Sequence, residues 1–205
     1  MMELLETINL RRTVRDFAKD KIPFEIIEKA LGLGLKAPSY NHLKEWDFIL
    51  VRENDIRIAL THTEEMVGKI TDELEKDLEA YDALAKSMYI NAIPKQRRMI
   101  VTAPEVLVVV YKPKTQIGES KRLYDLNCLA SVWCCIENIL LSLAEDKVFG
   151  VTFVPKNTSA IKEILNISQE LEVAAIIPFG YKDPNAKIIP QKEVQLKMRL
   201  HINNW

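Results

Sequence analysis

The sequence predicts one layered domain of the α+β or α/β class, and three observations lead there. The 205-residue chain is 48% hydrophobic, which suits a single sizeable core. Helical spacing and short β-branched runs follow one another in the order helix, helix, strand, helices, strand, helix, strand, helix, strand. No internal repeat and no Ser/Gly-rich linker interrupts them, so residues 1–205 read as one domain.

Leu4, Leu5 and Ile8 predict a short amphipathic helix that ends near a cluster of arginines. Pro23 suits a first helical position, and Ile26, Ile27, Ala30, Leu31 and Gly34 trace one face of the next helix. That helix must stop by Ala37, because the residue before Pro38 is pushed out of the α region. "WDFILV" reads as a strand, and Asp55 to Leu60 starts a short helix. From Glu64 to Tyr89 charge and apolarity mix at helical spacing, which predicts a solvated helical excursion closed by Pro94. "EVLVVVYK", Glu105 to Lys112, is a continuous β-branched run and reads as a central strand. Leu123 to Asp146 predicts a long buried helix. "KVFGVTFV" is a further strand, Ser159 to Leu165 a short helix, and "EVAAIIPFG" the last central strand. The polar, lysine-rich tail from Tyr181 to Trp205 carries isolated apolar residues. It is too long for a loop, so we expect it to pack on something, such as a second subunit.

Net charge is −1 and the pI is near 6.3, which argues against a general nucleic-acid or membrane-surface binder. Cys128, Cys134 and Cys135 form no C-x-x-C pair and lie in one apolar stretch, so they read as reduced core residues of a cytoplasmic protein. Glu3 and Glu6 disfavour a targeting segment at the N-terminus. Five polar residues between Leu126 and Ala144 favour a buried helix over a membrane span. There is no G-x-G-x-x-G, no Walker loop and no G-x-S-x-G. His42, His62 and His201 are too scattered to suggest a metal site.

Two stretches carry chemistry. In Arg11-Arg12-Thr13-Val14-Arg15 an extended backbone would project Arg11, Thr13 and Arg15 to one side, making a cradle for an anion such as phosphate. A solvated basic turn accounts for these five residues as well. In "APSYNHLKEWDFILV", Ala37 to Val51, the side chains of Ser39, Asn41 and His42 can hydrogen-bond a planar polar ligand where a helix gives way to a strand; an ordinary capped loop is the rival reading.

Together the two stretches resemble the FMN-dependent nitroreductase family, whose pattern is R-R-S-x-R-x-F followed by A-P-S-x-x-N-x-Q-P-W-x-F. "YDLNCLASVWCCIENILLSLAEDKVFGVTF" is similar to the family's central dimer helix and following strand, and "VAAIIPFGYKDP" to its last strand. The resemblance implies an α+β fold with an antiparallel or mixed central sheet flanked by helices, and a tail that packs on the partner subunit. It implies that Arg11, Arg12, Thr13 and Arg15 bind FMN. It further implies that Pro38, Ser39, Tyr40, Asn41, His42 and Lys44 approach the flavin held by the other subunit of a homodimer. The family asparagine falls on His42, its glutamine on Lys44 and its proline on Glu45. Lys187 is the tail residue expected at the phosphate, Gly150 with Val151 and Thr152 is expected to offer a backbone donor to the ring, and Arg97 or Arg98 to approach the ring edge. The activity implied is ping-pong hydride transfer from NADH or NADPH, through FMN, to a small-molecule acceptor such as a nitroaromatic or quinone. Arg15 would stabilise the reduced flavin, and no side chain is needed as nucleophile. Flavin reductase, dehalogenase-like and ene-type reductase activities on the same fold are alternatives, as is a non-catalytic flavin-binding homodimer.

Overall fold

The structure, a computed structural model, describes residues 3–205. Its centre is a four-stranded sheet in the order β1-β2-β4-β3, where β1 is Trp46–Leu50, β2 Glu105–Tyr111, β3 Val148–Gly150 and β4 Glu172–Tyr181. All the ladders among these strands are antiparallel, which makes the fold α+β.

The unbroken apolar run of β2 follows from burial on both faces. Leu107, Val109 and Tyr111 pack with residues of α2 (Phe24–Gly34) and α7 (Asn127–Glu145). Val106, Val108 and Val110 pack on the other side with α3 (Asn54–Thr61), α6 (Gln96–Thr102) and α8 (Thr158–Leu165). β4 does the same through a bulge: Val109 pairs with Ala175 but Val110 with Val173, leaving Ala174 as the extra residue. That residue flips the alternation, so Val173 and Ile176, three apart, face the same layer. Pro178 lies within this central strand, where the missing amide would break a ladder. Its carbonyl accepts from Val151 (3.3 Å) just beyond the point where β3 ends at Gly150, so the gap falls where the ladder already stops. Two glycines allow close packing: a Cβ on Gly34 would lie 2.7 Å from Ile139 of α7, and one on Gly180 would lie 2.7 Å from the Pro104 ring.

Several expectations are corrected. The excursion after Glu64 is a pair of separate helices, α4 (Asp72–Asp77) and α5 (Ala83–Ala92), capped by Thr71 and Asp82. Pro94 does not close it. Pro94 occupies the first turn of the 3₁₀ segment Ile93–Lys95, where a missing amide is harmless, and α6 follows at once. α1 (Leu4–Leu10) is inverted relative to the usual amphipathic helix: Thr7 is buried, while Leu4, Leu5 and Ile8 face outward. Cys135 is buried, but Cys134 is exposed and Cys128 half-buried, so only one of the three thiols is in the core.

One buried charge ties the layers together. Arg57 of α3 donates to the carbonyls of Val51 (2.8 Å), Ala103 (2.7 Å) and Pro104 (3.3 Å), satisfying the chain where it leaves β1 and where it enters β2. Arg57→Met should destabilise the protein by about 3 kcal/mol, because it strands buried carbonyls. Urea denaturation checks this, and an unchanged midpoint would show that water replaces the guanidinium.

Candidate active site

The arginine stretch forms an extended arm laid against the end of the sheet. Thr13 bridges Gly150 in parallel, the Val14 amide donates to the Gly150 carbonyl (3.3 Å), and the Ala18 amide to that of Tyr181 (2.9 Å). Val14 points inward and is buried with Ala144 and Phe149, which sends its neighbours outward, as alternation along an extended chain requires. A cavity opens on each side of the arm. The larger, about 360 Å³, is lined by Arg12, Thr13 and Arg15, by Leu84, Ala85 and Met88 of α5, and by the tail from Ile189 to Lys192. The smaller, about 190 Å³, is lined by Arg11, Arg12 and Thr13, by Trp133, Glu137 and Leu140 of α7, and by Phe149 to Thr152. Arg12 and Thr13 belong to both.

The guanidinium groups therefore diverge, where alternation predicts Arg11, Thr13 and Arg15 on one side. Arg11 turns to Glu137 of α7 (3.5 Å) and the small cavity. Arg12 folds back so that Nη1 donates to the Arg11 carbonyl (2.8 Å). Arg15 reaches Met88, its Nη2 3.8 Å from Sδ. Burial draws the Arg15 pKa down and neighbouring Asp16 partly opposes this; the side chain is a desolvated cation, which interacts strongly with an incoming anion. Asp16 itself is held by Lys95 (2.6 Å) and Arg98. Arg98 is thus committed to Asp16, Arg97 contacts His62 (3.2 Å), and neither lines a cavity.

Gly150 bridges Thr13 of the arm. Val151 and Phe153 both donate inward to β4, to Pro178 (3.3 Å) and Ile176 (2.8 Å). Alternation then turns the intervening Thr152 amide away from β4, and Thr152 lines the small cavity. Lys187 is exposed and lines neither cavity; the tail lysine at the large one is Lys192. Sequence reasoning misses Lys192 and its partner Asp82, although the lysine-rich tail and the helix-capping pattern at Asp82 mark both regions.

Residues 38–44 are not brought to the arm within one chain. Pro38 is exposed. Tyr40 is fixed by its amide donating to Ser131 Oγ of α7 (2.9 Å), and its hydroxyl meets that of Tyr124. Ser39 Oγ accepts from the Lys44 amide (3.3 Å). Asn41, His42 and Lys44 all have positive φ, of 50°, 58° and 50°, a concentration of left-handed backbone unusual for non-glycine residues. Lys44 Nζ donates to the Leu35 carbonyl (2.6 Å), at the C-terminal end of α2, where a cation is favoured. Asn41 and His42 are exposed.

The nitroreductase family model matches residues 8–181. The iodotyrosine deiodinase of Thermotoga neapolitana is 25% identical over 95% of this chain and 96% of its own length. A crystal structure of oxidized iodotyrosine deiodinase bound to FMN and 3-iodo-L-tyrosine is 22% identical, covers 99% of this chain and 100% of that one, and superposes with a TM-score of 0.74. A BluB-like flavoprotein from Clostridium difficile 630 is 17% identical over the whole of both chains, with a TM-score of 0.71.

Among the described residues, no cysteine lines either cavity. Burial pushes the Cys135 thiol up to about 12, so it is neutral at physiological pH. In native protein at pH 8, iodoacetamide should leave Cys135 unmodified until the chain is unfolded, as read by peptide mass spectrometry. Rapid native labelling would show that α7 opens.

Proposed function

Because the chain belongs to the nitroreductase family, we propose that it is an FMN-dependent oxidoreductase whose cofactor lies along the arm. The observation that carries this is the sharing of Arg12 and Thr13 between two cavities along the arm. The larger offers Arg12, Arg15, Lys192 and the Thr13 hydroxyl, a donor set suited to a phosphate and a polyol chain. The smaller sets Trp133, Leu140 and Phe149 beside the Arg11–Glu137 pair, so a flat ring with a polar edge suits it, with Thr152 at its rim. A ligand with a dianionic end, a hydroxylated linker and an aromatic ring system fits this order of groups.

FMN, when bound, supplies hydride and electron transfer. The protein's part is positioning and electrostatics. Arg12 and Arg15 neutralise anionic charge in the cleft, and the Thr152 amide is a fixed dipole that costs no reorganisation when charge develops nearby. The main-chain seat of the arm on Gly150 holds these groups in register. NADH or NADPH is the donor in this reading and a nitroaromatic or quinone the acceptor. A homodimer is supported by the outward apolar face of α1, by exposed Leu33, Leu35, Leu43 and Leu123, and by the uncovered tail residues Leu196, Met198, Leu200, Ile202 and Trp205. The distance of residues 38–44 from the arm within one chain fits a role on the partner's cofactor.

A second reading is reductive dehalogenation of a halogenated aromatic substrate, favoured by the likeness to iodotyrosine deiodinases over nearly the full chain. Protein reconstituted with FMN should oxidise NADH or NADPH in the presence of a nitroaromatic or quinone, and should sediment as a dimer. Iodide release from 3-iodotyrosine with a chemical reductant, without NAD(P)H turnover, would favour the second reading. No flavin uptake would sink both. Arg15→Ala should weaken FMN binding about 10- to 100-fold, the loss of about 1.5–3 kcal/mol for a charge-assisted contact. Fluorescence titration checks it, and unchanged affinity and flavin potential would remove Arg15 from the site.

A further inference from the structure

A salt bridge joins two segments that line the larger cavity. Asp82 is the N-cap of α5: Oδ1 accepts from the Ala85 amide (2.9 Å), while Oδ2 is 2.8 Å from Lys192 Nζ in the tail. The two residues come from separate segments of the lining, α5 with Leu84, Ala85 and Met88 and the tail from Ile189 to Lys192, and Arg12, Thr13 and Arg15 line the same cavity. Asp82 is the acidic residue among the cavity's lining, and Lys192 the cation contributed there by the tail. Among the described residues neither Arg12 nor Arg15 makes a carboxylate ion pair, so the cleft holds two unpaired guanidinium groups and one lysine that is already occupied.

We propose that the Asp82–Lys192 pair is a latch which the cofactor's phosphate opens by exchange: Lys192 leaves the Asp82 carboxylate for the phosphate, and Asp82 keeps its cap on α5. This rests on the FMN reading above. Both charged side chains are more than half exposed, at 54% and 68%, so water screens the bond and its breakage costs little. A phosphate dianion beside Arg12 and Arg15 is a stronger partner for Lys192 than one carboxylate. Asp82 does not lose its place on release, because the Ala85 amide still holds Oδ1. Asp82 therefore acts as a competitor for the cation that the phosphate needs. Its role is regulatory, setting how readily the tail yields to the cofactor.

The test is FMN binding to apoprotein followed by quenching of flavin fluorescence, in a double-mutant cycle. Asp82→Asn keeps a good N-cap residue and so preserves α5. It should bind FMN about two- to fivefold more tightly, the scale of an exposed ion pair. Lys192→Gln should bind FMN more weakly, and in that background Asp82→Asn should have lost most of its effect. Equal tightening by Asp82→Asn with and without Lys192 would overturn the latch, since it would mean simple repulsion between Asp82 and phosphate. An Asp82→Asn protein with wild-type affinity would overturn it as well, leaving the cofactor reading intact. Failure of the unaltered protein to bind FMN would overturn the cofactor reading and the latch together.

Discussion

The candidate site depends on a main-chain contact: the parallel seating of the arm on the last residue of β3. The Val14 amide donates to the Gly150 carbonyl, the Ala18 amide to that of Tyr181, and Val14 itself fills a small core with Ala144 and Phe149. With Val14 turned in, Thr13 and Arg15 must turn out, and a cavity forms on either side. A Cβ on Gly150 would lie 3.2 Å from both Phe179 Cβ and the Pro178 carbonyl, so the narrowness of this residue is part of the seat. The sheet end, the arm and the two cavities are in this sense one construction.

The fold is largely legible in the sequence because its central strands are buried on both faces, and a continuous β-branched run suits a strand covered on two sides far better than a helix or a loop. β2 is such a run. β4 is apolar at most positions, although Pro178 argues against a central strand when read alone; only the pairing shows that the proline sits where β3 has ended. The bulge at Ala174 leaves no mark in a sequence that is apolar at every position around it. α1 shows the opposite limit. Its hydrophobic spacing is that of a helix, but spacing does not say which way the stripe faces, and here it faces away from the core.

The site is legible in part. The arm is visible as three arginines against a nearly neutral background, and Gly150 as a glycine at a strand end. Spacing alone favours Lys187 over Lys192, yet Ile188 is the residue that packs on the Val14 cluster, and this orients the tail so that 189–192 meet the cleft. Position in a motif puts Lys44 near a ligand, and in the folded chain its ammonium donates to the Leu35 carbonyl. Tertiary contacts of that sort, between a loop lysine and the end of the preceding helix, have no periodic signature.

The seat of the arm has an evolutionary consequence. The hydrogen bonds that join it to Gly150 and Tyr181 come from backbone atoms, Asp16 adds ion pairs to Lys95 and Arg98, and its deeply buried side chain is Val14. Arg12, Thr13 and Arg15 line the cleft without being needed to hold the arm in place, and so are nearly free of folding duty. Substitutions at these positions can change which anion or which acceptor is preferred while the chain still reaches the same native state. A lineage built on this seat can drift from one chemistry to another along routes in which every intermediate remains folded.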